Sequence, residues 1–139
     1  MQAANKDARS TTMPFTVLIV DDSKLARIVA GKALAELQPE WRKLEAGSAE
    51  QALDIVKEQT PDIALIDFNM ADKNGLELAA ELRVLLPDMP IAIITANIQD
   101  EIIAQAHEIG AAFVAKPVTP DALEPFLSGS ALRLNSLPQ

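Results

Sequence analysis

The sequence predicts an α/β domain: one five-stranded parallel sheet with helices on both faces. Two observations carry this. Four short apolar runs, FTVLIV, DIALID, PIAIIT and AFVAK, are too continuous for strands with one wet face. Such runs suit strands covered on both sides, as in parallel sheets. Between them lie segments with apolar residues at three-to-four spacing, so strand and helix alternate along the whole chain. A third observation concerns function: each of these runs is closed by a polar residue.

Residues 1–13 (MQAANKDARSTTM) lack a hydrophobic signal region and read as a flexible leader. The first strand, Phe15–Val20, stops at Asp21-Asp22. A helix from Ser23 to Leu37 follows, with Ala26, Val29, Ala30, Ala33 and Leu37 on its inner face and Pro39 beyond its end. Trp41–Ala46 is a weaker strand. Ser48 is placed to cap a helix over Ala49–Gln59, whose inward residues are Ala52, Leu53 and Val56.

The strand Asp62–Asp67 ends in an aspartate. A polar loop, Phe68–Asn74, leads through Gly75 into a helix of about Leu76–Leu86, striped by Leu78, Ala79, Leu82, Leu85 and Leu86. Pro90–Thr95 is the fourth strand. Ile98–Ile109 is helical with Gly110 as its C-terminal stop. Ala112–Lys116 is the fifth strand, ended by Pro117. Thr119-Pro120 starts a last helix, expected to be short because Pro125 removes a backbone hydrogen bond. Residues 128–139 (SGSALRLNSLPQ) then read as a tail or linker, and 14–127 as the folded domain.

Composition narrows the function. The net charge of −8 gives no basic footprint for nucleic acid, and an anionic membrane would repel it. With no cysteine, disulfides, thiolate chemistry and Cys-based metal sites are excluded. The single histidine, His107, cannot build a His-rich zinc site and is expected to face solvent. No apolar run approaches the ~18–20 residues that span a bilayer. A cytoplasmic protein is expected.

Five polar residues sit where apolar runs end: Asp21, Asp22, Asp67, Thr95 and Lys116. In a doubly wound sheet of flavodoxin-like order 2-1-3-4-5, strands 1 and 3 flank the point where the strand order reverses, and ligands bind there. That order sets Asp21 and Asp22 beside Asp67 and brings Thr95 and Lys116 to the same rim. Two like charges at ~4 Å repel by about 4 kcal/mol even at an effective dielectric near 20. A divalent cation relieves this, and Mg²⁺ suits a site of few carboxylates and several waters. Lys116 adds a fixed positive charge, and the Thr95 hydroxyl adds a donor. Together they make a seat for a transferred phosphoryl group. The bland alternative for each residue alone is a solvated turn former.

With these motifs in view, residues 14–127 resemble the receiver domain of bacterial two-component response regulators, the single-domain chemotaxis type included. The motifs are Asp21-Asp22, DFNMADKNG (Asp67–Gly75), Thr95-Ala96 and Lys116-Pro117. The resemblance implies that Asp67 is the phosphoacceptor, taking its phosphoryl group from a phosphohistidine on a sensor histidine kinase or phosphotransfer protein. It implies Asp22 as a direct Mg²⁺ ligand, Asp21 as a ligand directly or through water, and the Asn69 backbone carbonyl as another. Mn²⁺ is a possible substitute for Mg²⁺. Thr95, the Ala96 N–H and Lys116 would hold phosphoryl oxygens. Thr95 and Phe113 would form a switch pair, although Phe113 alone also reads as a core residue. Asn69 and Asn97 fall at positions that tune acyl-phosphate hydrolysis in this family. The sequence departs from the family in two respects: Met70 is followed by Ala71, where proline is usual, and Pro125 falls inside the last helix.

Leu25 and Ile28 lie off the core stripe of the first helix, near the acidic pair. They either pack against a kinase's helices or cover neighbouring core. Three other functions fit less well. A haloacid-dehalogenase-type phosphatase needs an acid two residues after its nucleophile, and Asn69 stands there. A pseudo-receiver, acting only as an interaction module, would not keep all five polar residues. A flavodoxin-like redox protein would need more than Phe15, Trp41, Phe68, Phe113 and Phe126 as aromatics, and the acidic pair would repel a flavin phosphate. The domain is expected to be a signalling phosphoacceptor, not an enzyme. Its downstream protein target is open, as is whether it stands alone or begins a longer regulator.

Overall fold

Five strands form one parallel sheet in a computed structural model that describes residues 14–97 and 99–137. They are β1 (Thr16–Val20), β2 (Arg42–Ala46), β3 (Ile63–Asp67), β4 (Ile91–Thr95) and β5 (Ala112–Ala115), in the order β2-β1-β3-β4-β5. The helices α1 (Lys24–Leu37), α2 (Ala49–Glu58), α3 (Gly75–Leu85), α4 (Asp100–Glu108) and α5 (Pro120–Asn135) alternate with them. The order 2-1-3-4-5 and the doubly wound α/β class expected from the sequence are therefore the ones observed. The expected leader, residues 1–13, lies outside the described residues.

Strand alternation divides the core in two. Val17, Ile19, Ile63, Leu65, Ala92, Ile94 and Val114 face α1 and α5. Leu18, Val20, Ala64, Ile66, Ile91 and Ile93 face α2, α3 and α4. β3 and β4 are buried along their full length, as continuous apolar runs require when both sheet faces are covered. β2 is the edge strand beside β1, which explains its mixed composition: only Ala46 of its five residues is buried.

The helix ends follow local chemistry. Ser23, Ser48 and Thr119 cap α1, α2 and α5 through their hydroxyls. Asn74 and Glu77 form a reciprocal capping box at the start of α3. Gly110, at φ 67°, ends α4, where the Ala111 N–H reaches the Ala106 carbonyl and the Gly110 N–H reaches that of His107. That 6→1 and 5→2 pair is the Schellman arrangement. Arg83 of α3 donates to the carbonyls of Pro87, Met89, Ile109 and Gly110, joining the two loops that precede β4 and β5.

Four expectations need correction. The last helix is not short: it continues through Pro125 to Asn135, so residues 128–135 are helix and not a tail. Pro125 is exposed, so the Asp121 carbonyl it leaves without a helical donor can be solvated. Leu123 and Leu127 are fully buried against the sheet and α1, with Phe126 and Leu134 packed beside them. Burying each such side chain contributes about 1.5–3 kcal/mol, enough together to offset the ~3 kcal/mol cost of an interior proline. Second, Val29 of α1 is 39% exposed and Leu34 is buried, so the inner face is Ala30, Gly31, Ala33 and Leu34. Third, α4 begins at Asp100, with Gln99 as its cap; Ile98 lies outside the described residues. Leu85 of the expected α3 stripe is likewise mostly exposed.

Candidate functional site

The strand register builds the site. Val20 lies opposite Ile66, Asp67 opposite Ile94, and Thr95 opposite Ala115. The ladder runs one residue past the strand ends, through Asp21 N–H to Ala46 carbonyl and Lys116 N–H to Thr95 carbonyl. Asp21, Asp67, Thr95 and Lys116 thus emerge at one rim, the C-terminal edge of the sheet.

Asp21 and Asp67 are buried, and Asp22 is exposed beside them. One carboxylate oxygen from each of the three lies within 4.8 Å of the others. The Lys116 ammonium, which reaches in from the end of β5, lies 2.9 Å from Asp67 Oδ1 and 3.2 Å from Asp21 Oδ2. Three carboxylates against one ammonium leave a net charge of about −2 in a partly buried pocket. All donors toward a cation are oxygens, the set that Mg²⁺ and similar hard cations take. The residues present therefore fit a divalent metal.

Electrostatics agrees with crowding. Burial pushes the Asp67 carboxyl above its ordinary value, and the charges of Asp21 and Asp22 add to the effect; the hydrogen bond and charge of Lys116 oppose it without cancelling it. Burial weighs against the Lys116 ammonium, yet the hydrogen bond and charge of Asp67, with Asp21 behind them, hold its pKa above the usual lysine value.

Thr95 is buried, and its hydroxyl is engaged with Asn97, accepting from that residue's N–H at 3.0 Å. Ala96 and Asn97 follow it on the exposed loop. Phe113 lies in β5, half-buried, opposite Ile93. Asn69 is exposed in the β3–α3 loop. Leu25 is 70% exposed and Ile28 39%. An apolar groove of about 380 Å³, lined by Leu25, Ala26, Val29, Ile94, Pro117 and Val118 but not by Ile28, opens next to Asp21 and Lys116. The Lys116–Pro117 peptide bond is cis.

Several contributors carry no polar signal at a strand end and were not foreseen. Arg27 donates to the Asp21 backbone carbonyl at 2.6 Å and to Glu45 at 3.0 Å, pinning the acidic turn to β2. Its target at Asp21 is a main-chain carbonyl, which carries no mark in the sequence. Asp72 accepts from the N–H groups of Ala49 and Glu50, seating the β3–α3 loop on the start of α2. Those bonds hold its carboxyl below the ordinary range. Gly75 has no room for a side chain, since a Cβ there would lie 2.3 Å from the Asp67 carbonyl oxygen.

A 2-1-3-4-5 parallel sheet with three carboxylates and a lysine at its switch point places the chain among the doubly wound, flavodoxin-like α/β domains. Residues 17–127 match the response regulator receiver domain, and the chain belongs to that family. It is 34% identical over 105 residues to Protein CcdB of Bacillus subtilis, across 73% of this chain and 84% of that protein. It is 33% identical over 111 residues to the phosphate regulon transcriptional regulatory protein PhoB of Pseudomonas aeruginosa, across 78% of this chain and 48% of that protein. A solved CheY-like receiver domain protein from Methanospirillum hungatei shares the fold, with a TM-score of 0.80 at 24% identity over 90% of this chain and 100% of that one. The chain thus spans most of one curated relative and about half of another. Among the described residues no helix is long and apolar enough to cross a membrane.

Proposed function

We propose that this receiver domain takes a phosphoryl group onto Asp67 from a phosphohistidine of a sensor histidine kinase or phosphotransfer protein, in a Mg²⁺-dependent reaction. The observation that carries the reading is the Asp67 carboxylate itself. It is buried at a strand end, crowded by Asp21 and Asp22, and held by Lys116 at 2.9 Å.

An Asp67 oxygen attacks phosphorus, the P–N bond to the donor imidazole breaks, and the nitrogen leaves with the bonding pair. The product is an aspartyl phosphate. Asp21, Asp22, Asp67 and the Asn69 carbonyl would hold the metal. When bound, Mg²⁺ supplies positive charge for the phosphoryl oxygens and for the carboxylate cluster. Lys116 orients the Asp67 carboxylate and then pairs with a phosphoryl oxygen. Thr95 gives up its contact with Asn97 and turns its hydroxyl to the same group, with the Ala96 N–H beside it. Phe113, half-buried on the neighbouring strand, would then rotate inward into the volume that Thr95 vacates. Protein contacts on that side of the domain change accordingly.

The receiver is a phosphoacceptor in signalling and acts on no separate substrate. Its partners are a kinase or phosphotransfer protein and a downstream protein, and its net charge of −8 disfavours nucleic acid and anionic membrane. The working unit is residues 14–127, continued here by the rest of α5, in the cytoplasm. The apolar groove lined by Leu25, with the exposed Ile28 on the same helix, is where the donor's helices would dock. With the cognate kinase, Leu25→Ala and Ile28→Ala should slow phosphotransfer about tenfold while leaving acetyl phosphate labelling intact; unchanged transfer rates would rule the groove out.

The central test is incubation with acetyl phosphate and Mg²⁺, read by mass spectrometry. Wild type should gain one phosphoryl group and Asp67→Asn none. No gain in a wild type that binds Mg²⁺ would point instead to a phosphorylation-independent interaction module.

A further inference from the structure

Asp22 is the exposed member of the acidic triad, and an exposed aspartate samples several side-chain rotamers. Here it is held. The Ala71 backbone N–H donates to Asp22 Oδ2 at 3.2 Å, across 49 positions of sequence. Among the described residues this is the one hydrogen bond the Asp22 carboxylate makes. It engages a single oxygen, so the other remains for a cation.

The donor exists only because residue 71 is not proline, which has no N–H. Its position is fixed by the residues on its C-terminal side. The Asp72 carboxylate spans the Ala49 and Glu50 N–H groups at 3.2 and 3.1 Å. The capping box of Asn74 and Glu77 then anchors the loop to α3. The segment carrying the Ala71 amide is thereby tied to two helices.

We infer that the Ala71 backbone N–H is a positioning group that orients Asp22 for divalent-cation binding, and that Asp72 holds this amide in place by seating the loop on α2. The inference rests on the reading of Asp21, Asp22 and Asp67 as the cation site. A hydrogen bond to a charged acceptor narrows the carboxylate's freedom before the cation arrives. The entropy of ordering Asp22 is then lost on folding and not on binding.

The test is Mg²⁺ affinity by calorimetry on the whole chain, with no phosphoryl donor present. Ala71→Pro removes the donor and should weaken binding about three- to tenfold. Ala71→Gly keeps the N–H and should bind within about twofold of wild type. Asp72→Asn leaves the backbone of residue 71 unaltered and should weaken binding in the same direction, which covers the case in which Ala71→Pro fails to fold. In the ¹⁵N-labelled protein the Ala71 amide proton should move upfield in Asp22→Asn, a signature that general loop loosening would not give.

If wild type binds Mg²⁺ and both Ala71→Pro and Asp72→Asn match it, the positioning role is wrong while the cation site stands. An Ala71 amide resonance indifferent to Asp22→Asn also overturns it. If wild type binds no Mg²⁺, the cation site fails and the inference falls with it.

Discussion

At the scale of the residue, the site is a balance of one ammonium against three carboxylates. Its consequence is a proton. Asp67 titrates above the ordinary 3.8 because burial and its acidic neighbours disfavour its charge. The folded chain therefore binds that proton at pH values where the unfolded chain has lost it. Stability from this group is fully present below the unfolded pKa and declines as pH rises through the folded value. A ¹³C titration of the Asp67 carboxyl in metal-free protein should show a midpoint above 3.8, moving down when Mg²⁺ is added. A midpoint at or below 3.8 without metal would contradict the crowded pocket. The five rim residues were legible in sequence because each interrupts or ends an apolar run. The Ala71 amide was not, since a main-chain donor carries no mark in the sequence. Leu34 was missed for a related reason: the small residues of α1 allow its stripe to be counted in more than one phase.

At the scale of the element, α5 teaches the most. Proline and glycine inside a short apolar pattern read as a stop, and Pro125, Gly129 and Ser128 are all there. Tertiary packing reverses that reading, because Leu123, Leu127 and Leu134 hold both halves of the helix against the same core. Pro125→Ala should restore the N–H that reaches toward the Asp121 carbonyl and raise stability by about 1 kcal/mol. That is less than the ~3 kcal/mol difference in helix propensity, because proline also restricts the unfolded chain. Urea denaturation checks it; a lower midpoint with unchanged slope would mean that the proline ring packs against something the helix needs. The strands were easier to read, since β1, β3 and β4 are covered on both sides and write that fact into continuous apolar sequence. β2 and β5 are the two edges, with one buried residue each. β2 shows this in its mixed sequence, whereas the run AFVAK, expected to be covered on both faces, buries only Val114 within β5.

At the scale of the whole molecule, strand order was the step that turned scattered residues into a site. Sequence supplies alternation, and the parallel sheet's handed crossovers leave few orders to consider. The net charge of −8 bears on the same scale. A cation that binds only the folded chain stabilises it by mass action, about 1.4 kcal/mol at tenfold over its Kd. Mg²⁺ should therefore raise the melting temperature of wild type by roughly 3–6 °C. Asp22→Asn should lose most of that rise, and NaCl at equal ionic strength should not reproduce it. An equal rise in Asp22→Asn would mean that general screening of the acidic surface, and not the triad, is being measured.

The contact between Lys116 and Asp21 joins groups 95 positions apart. During synthesis the acidic turn is finished early, yet its counter-charge arrives only with the fifth strand. A nascent chain or truncated product ending before residue 116 carries the carboxylates without the lysine that gathers them. Such a fragment carries Asp67 without the ammonium that pairs with it in the finished sheet. The order in which the chain is made thus completes the charged rim only when the fifth strand joins the sheet.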